Sequence, residues 1–156
     1  MKVTLLWVGK TKNPHLRELC EDYLERIRRL VACEVIEVRD PSKGSGLKGP
    51  GLRKAEAEAM AKRIAPVSQV VSLDAGGKQL SSEELARWFE AEQVRGTRDL
   101  VFVIGGPEGL DDSIRARARL SLSLSRMTWT HEMVRVLLVE QVYRAFTILS
   151  GVPYHK

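Results

Sequence analysis

A strand followed by a helix, repeated five times, predicts an α/β fold: a mostly parallel sheet with helices on both faces. Three observations carry that reading. Five short apolar runs alternate with longer stretches whose apolar residues recur at helical spacing. Small and glycine-rich segments follow the third, fourth and fifth runs, where an α/β sheet turns outward at the carboxyl ends of its strands. No internal repeat or linker divides the 156 residues, so 1–156 reads as one domain.

Lys2–Val8 is the first strand, short and rich in β-branched and aromatic types. Asn13-Pro14 opens a helix, with Asn as cap and Pro at the first helical position. Leu16, Leu19, Cys20, Tyr23, Leu24, Ile27 and Leu30 form its apolar face. Cys33–Val38 is the next strand, and both cysteines read as packing residues. Arg39–Gly51 is a basic loop punctuated by glycine and proline, long for a compact domain. Leu52–Ile64 is helical and alanine-rich. Gln69–Leu73 is a strand and Asp74–Gln79 its turn. Ser81 and Glu84 then make a capping box, with Leu80 and Leu85 as its staple. That helix runs to about Arg95 and stops at Gly96. Asp99–Ile104 is the fourth strand, followed by Gly105–Gly109, a short helix over Asp112–Arg119, and a fifth strand at Leu120–Leu124. Ser125–Thr130 turns the chain into a long helix, His131–Leu149, which Gly151-Val152-Pro153 ends.

Composition narrows the function. With 44% hydrophobic residues and a net charge of +5, the chain is neither disordered nor collagen-like. Its longest apolar runs fall far short of a bilayer span. Gly9-Lys10-Thr11-Lys12 ends the first apolar run before a signal peptide could form. Two cysteines make no disulfide framework, so a soluble, cytoplasmic protein is expected. The excess of 25 Lys and Arg over 20 Asp and Glu suits a polyanionic partner. Arg115, Arg117, Arg119, Arg126, Arg135 and Arg144 place the expected anion site in the last third.

Most phosphate and metal chemistry is excluded by spacing. Gly9-Lys10-Thr11 has Thr4 where a phosphate loop needs its first glycine, and no dinucleotide fingerprint follows the first strand. The histidines (His15, His131, His155) are scattered, so no metal site is expected. There is no Gly-x-Ser-x-Gly elbow. What remains is a set of three strand ends: Leu73 with Asp74-Ala75-Gly76-Gly77, Gly105-Gly106-Pro107-Glu108-Gly109, and Leu124 with Ser125-Arg126-Met127-Thr128-Trp129. Glycines there allow a ligand close to the backbone, and the three ends together can make one pocket.

These segments carry a resemblance. Leu73-Asp74 with Gly77-Lys78, Phe102–Leu110, Leu122–Ser125, Thr128, His131, Val134-Arg135, Glu140-Gln141, Tyr143-Arg144-Ala145 and the terminal Pro153-Tyr154-His155-Lys156 together resemble the small ribosomal-RNA pseudouridine N3-methyltransferases of the SPOUT class. Trp129 and Thr130 depart from the pattern, in which an aliphatic residue and a proline are expected. The resemblance implies a C-terminal trefoil knot, S-adenosylmethionine as methyl donor, and a homodimer. It implies that Leu73, Gly105, Leu124, Ser125, Arg126, Met127, Thr128 and Trp129 hold the cofactor. Tyr154, His155 and Arg144 become candidates for catalysis on pseudouridine N3 of large-subunit (23S) RNA in the assembled ribosome, and Arg135 and Lys156 for RNA contact. The final helix agrees with a dimer: Val134, Leu137, Leu138, Val142, Ala145, Phe146 and Leu149 make one apolar stripe. Met133, Val136, Tyr143 and Thr147 extend it to a second face. The alternative is a non-catalytic RNA-binding module of the same fold, for which cofactor binding would discriminate.

Overall fold

The structure is a computed structural model, and it describes residues 1–155. Its elements are β1 (Lys2–Val8), α1 (Pro14–Arg28), β2 (Ala32–Val38), α2 (Gly49–Ala61), β3 (Gln69–Gln79), α3 (Ser82–Val94), β4 (Asp99–Ile104), α4 (Asp112–Arg117), β5 (Ala118–Ser123) and α5 (His131–Ser150). The strands form one parallel sheet in the order β2-β1-β4-β3-β5. The expected α/β architecture is what the chain adopts.

Alternation along the inner strands divides the core into two layers. Val3, Leu5 and Trp7 of β1 and Leu100, Phe102 and Ile104 of β4 face α1, α3 and α5. Leu6, Val8, Val101 and Val103 face the other way, toward α2 and α4. Phe89 anchors the first layer, with its ring centroid 4.8 Å from Phe146 and 5.7 Å from Phe102. The Asn13 and Ser81 caps act as read from the sequence, and the structure adds a third at Thr130. Asn13 accepts from His15 and Leu16 N–H, Ser81 and Glu84 form the reciprocal box, and Thr130 caps α5. Gly151, at φ 66°, closes α5 with amide bonds from Gly151 to Ile148 and from Val152 to Thr147.

Four details differ from the sequence reading. Asp74–Gln79 is not a turn: β3 continues to Gln79 after a register shift, with Lys78 and Gln79 beside Leu122 and Ser123. Gly77 permits that pairing, because a Cβ there would lie 2.6 Å from Ser121 O. α2 begins at Gly49, three residues before Leu52, since Pro50 in a first turn gives up an amide that has no helical acceptor. β5 starts at Ala118 because α4 ends early, at Arg117. Finally, the second apolar face of α5 is largely covered within the chain. α5 packs against both α1 and α3, and Tyr143 meets Tyr23 at 5.9 Å. Among the described residues no helix is long and apolar enough to cross a membrane.

Candidate cofactor pocket and C-terminal cluster

The three strand ends converge. Leu73-Asp74-Ala75 after the straight part of β3, Ile104–Gly106 with Pro107, Gly109 and Leu110 after β4, and Leu122–Ser125 at the end of β5 enclose a cleft of about 250 Å³. Met127, Thr128, Trp129, His131 and Val134 complete its wall. Of the eight residues expected to hold the cofactor, Leu73, Gly105, Leu124, Ser125, Met127, Thr128 and Trp129 line this cleft. Arg126 does not; its exposed side chain lies off the lining. Asp74, Ile104, Leu110, Leu122 and Val134 also line the cleft; each lies within a segment quoted for the resemblance but was not assigned to the cofactor.

Local bonding shapes the loops. Ser123 Oγ donates to Ser125 O at 2.9 Å, and Ser125 Oγ accepts from Met127 N–H at 2.9 Å, folding the β5 exit into a tight hook. Asp74 accepts from Gly76 N–H and pairs with Arg115. Those bonds, the Gly76 amide first, hold the Asp74 carboxyl below its ordinary range. Gly105 is required by the turn itself: a Cβ there would lie 2.8 Å from Gly109 O. The sequence reading assigned that glycine to close ligand approach, and the structure adds a second reason in the turn. Gly106 N–H donates at 3.3 Å to Glu56 of α2, a carboxylate only 2% exposed whose pKa burial pushes up.

The lining fits a nucleoside-bearing cofactor. Leu73, Leu122, Leu124, Ile104 and Leu110 supply flat apolar walls, while the Gly105–Gly109 turn and the β5 hook supply backbone donors and acceptors. Met127 and Trp129 remain 71% and 40% exposed at the rim, apolar surface that a bound ligand would cover.

The second cluster lies at the other end of α5. Arg144 pairs with Glu140 at 2.6 Å, and its guanidinium sits 4.7 Å from the Tyr154 ring centroid. Tyr154 OH donates to Glu140 Oε1 at 3.0 Å, so the 3.3 Å contact with Tyr23 OH is a donation from Tyr23. Burial, then these hydrogen bonds, pushes the Tyr154 phenol well above its ordinary range. His155 Nε2 lies 2.7 Å from Glu83 Oε1, and Arg144 Nη1 lies 3.3 Å from His155 Nδ1. A carboxylate and a guanidinium can only accept and donate, respectively. The His155 ring therefore bridges the two groups, with Nε2 toward Glu83 and Nδ1 toward Arg144. Glu83 is kept ionised by hydrogen bonds from Ser81 and then His155, which lower its pKa to about 2.

Tyr154, His155 and Arg144 are thus brought together, but none lines the cleft. Ten residues of α5 separate Val134 from Arg144, about 15 Å along the axis. Arg135 is a correction. It is 1% exposed, donates to Val8 O at 2.6 Å and Thr11 Oγ1 at 2.9 Å, and covers the Trp7 ring at 5.1 Å. A guanidinium spent on fastening α5 to the end of β1 has no face for RNA. Lys156 lies outside the described residues. Cys20 and Cys33 are packing residues, their thiols raised to about 11 by burial. Among the described residues no three metal-ligating side chains cluster.

Comparison with known proteins agrees with this architecture. The family model described as "Predicted SPOUT methyltransferase" matches residues 1–155. A protein of Geobacter sp. strain M21, named ribosomal RNA large subunit methyltransferase H, is 46% identical over 155 residues, covering 99% of both chains. One of the same name from Acetivibrio thermocellus is 42% identical over 159 residues, covering both chains fully. A probable methyltransferase from Bordetella pertussis shares the fold at 12% identity, with a TM-score of 0.58 over 93% of this chain and 96% of that one. A parallel sheet, a cleft at its carboxyl ends and a full-length family match converge on one statement: the chain belongs to the SPOUT methyltransferases.

Proposed function

We propose that this methyltransferase acts on N3 of a pseudouridine in large-subunit ribosomal RNA, in the assembled ribosome and therefore in the cytoplasm, with S-adenosylmethionine as cofactor. The observation that carries the reading is the cleft built jointly by the ends of β3, β4 and β5. Relatives 46% identical over nearly the whole chain, named for ribosomal RNA, support the substrate. Full-length membership of an enzyme family leaves the non-catalytic RNA-binding module without support. The C-terminal trefoil knot belongs to the same proposal and is carried by family membership.

When bound, the cofactor supplies an electrophilic sulfonium methyl group. Leu73, Leu122 and Leu124 would grip its apolar faces, and the backbone of Gly105–Gly109 and of the β5 hook its polar edges. The rest falls to the C-terminal cluster. An imide nitrogen must lose its proton to become nucleophilic. Arg144 stabilises the resulting anion of the base, Tyr154 stacks on or positions the ring, and His155 is the proton acceptor.

The about 15 Å between this cluster and its own cleft supports a homodimer, in which one protomer's tail completes its partner's pocket. Half-buried Met133 and Leu137 on α5 are the apolar surface available for that contact. The test is methyl transfer from labelled cofactor to ribosomes, separated subunits and bare RNA side by side. Label recovered in N3-methylpseudouridine from the particles is expected; label absent from large-subunit RNA would refute the assignment.

A further inference from the structure

The basic loop Arg39–Gly51 has no role in the cofactor cleft, yet it closes a second and larger one. This cleft, about 460 Å³, lies beyond the ends of β1 and β2 and is lined by Lys10, Lys12, Lys43 and Lys48 together with Gly9, Asp40, Glu56 and Glu108. It shares Pro107 and His131 with the cofactor cleft, so the two are adjacent compartments with the β4 turn between them.

The charges on the molecule are distributed unevenly. In the last third, Arg115 and Arg119 pair with Asp74 and Glu92, Arg144 with Glu140, and Arg117 donates to Ala65 O. Arg115, Arg117 and Arg119 are thereby engaged within the chain, whereas Arg144, 25% exposed, keeps a face for the target base, and Arg126 is exposed with no carboxylate within 4.0 Å among the described residues. Among the described residues, none of the four cleft lysines has a carboxylate within 4.0 Å, and all four are exposed. The carboxylates that line the cleft are mostly withdrawn. Asp40 accepts from Ser42 N–H and Oγ–H, and Glu56 is buried against Gly106 N–H; Glu108 stands on the rim. Lys48 also precedes an α2 N-terminus that no side chain caps, and an uncapped helix start adds positive potential.

Resting on the proposed RNA substrate, we infer that this lysine cleft holds the sugar–phosphate backbone flanking the target nucleotide. Flexible ammonium groups with no internal partner suit phosphates whose spacing varies along a single strand, and they read charge without sequence. Neutralising them releases counterions, which gives the contact a measurable salt dependence.

The test replaces all four lysines in the full-length protein: Lys10→Ser, Lys12→Ser, Lys43→Ser and Lys48→Ser. Its probes are a fluorescein-labelled single-stranded RNA and purified ribosomes. Four phosphate contacts predict a plot of log K against log salt shallower by about 3, at about 0.7 per contact. The KM for ribosomes should rise by about tenfold or more, while the Kd for S-adenosylmethionine stays within about twofold. A four-fold Lys→Arg variant should restore the wild-type slope. An unchanged slope with an unchanged KM would overturn the inference. Lysine-dependent RNA binding by a wild-type protein that methylates no ribosomal RNA would refute the proposed substrate and leave the cleft standing. If the quadruple variant fails to fold, the Lys10/Lys12 and Lys43/Lys48 pairs carry the same test at half the slope change.

Discussion

Replacing Glu56 should damage the cofactor cleft from behind. Its carboxylate is 2% exposed and reaches from α2 to Gly106 N–H at 3.3 Å, bracing the turn that forms one wall of the cleft. Glu56→Ala strands a buried amide, at about 1–3 kcal/mol, and removes one packed methylene at about 0.8 kcal/mol. Relief from burying a carboxylate offsets part of this, leaving a net loss of about 2 kcal/mol. For a chain of this length that lowers Tm by about 6 °C. Glu56→Gln keeps the volume and an acceptor oxygen but carries no charge. Burial raises the folded pKa of Glu56, so its carboxyl favours folding below the ordinary glutamate range and loses that contribution as pH climbs through the raised value. The Gln variant should therefore match wild type near about pH 4 and equal or exceed it at about pH 8. Thermal unfolding across pH reads both effects, and calorimetric titration should show weaker S-adenosylmethionine binding for Ala and not for Gln. A Glu56→Ala protein melting within about 2 °C of wild type would refute the bracing role.

Gly77→Ala should destabilise by about 1–3 kcal/mol, because its methyl would press on the Ser121 carbonyl across β3 and β5; chemical denaturation would show it. Deleting Tyr154–Lys156 should cut ribosome methylation by about 100-fold or more in a single-turnover assay. Cofactor affinity should change little, while Tm falls by a few degrees as Tyr143 loses the Tyr154 ring at 4.8 Å. Met133→Glu with Leu137→Glu should turn a sedimenting dimer into a folded monomer, and a monomeric wild type would refute the shared site. Val136 and Tyr143 are poorer probes of assembly, since Val136 is 6% exposed and Tyr143 packs against Tyr23 within the chain.

Local patterns made the framework legible. β1 and β4 read as strands because their residues are buried on both faces, and the Asn13 and Ser81 caps act over three residues or fewer. The cleft was foreseeable because most of its walls are strand ends and the loops that follow them. Long-range pairing escaped the sequence. Nothing local to Asp74–Gln79 announces that β3 resumes against β5, since the partner strand lies over forty residues further on. Arg135 failed for the same reason. Its spacing resembles that of the other cations, and only the fold brings Val8 O and Thr11 Oγ1, more than 120 residues earlier, to its guanidinium. The charge of Arg115, Arg119 and Arg144 was plain in the sequence, but their neutralisation by Asp74, Glu92 and Glu140 is a property of the packed chain.

The strand order bears on how a ribosome makes this protein. β1 emerges first, and β2 can pair with its outer edge as soon as residue 38 is free. Its inner edge must wait for β4, whose Asp99 pairs with Lys2, so the middle of the sheet stays open through nearly two-thirds of synthesis. β3 waits as well, flanked by two strands that both follow it. Pairings this distant in sequence form slowly and leave apolar edges exposed meanwhile. A nascent chain stalled before His131 lacks α5, one of the three helices that cover one face of the sheet, and with it the last wall of the cleft. Binding of the proposed methyl donor should thus appear only once α5 has left the exit tunnel.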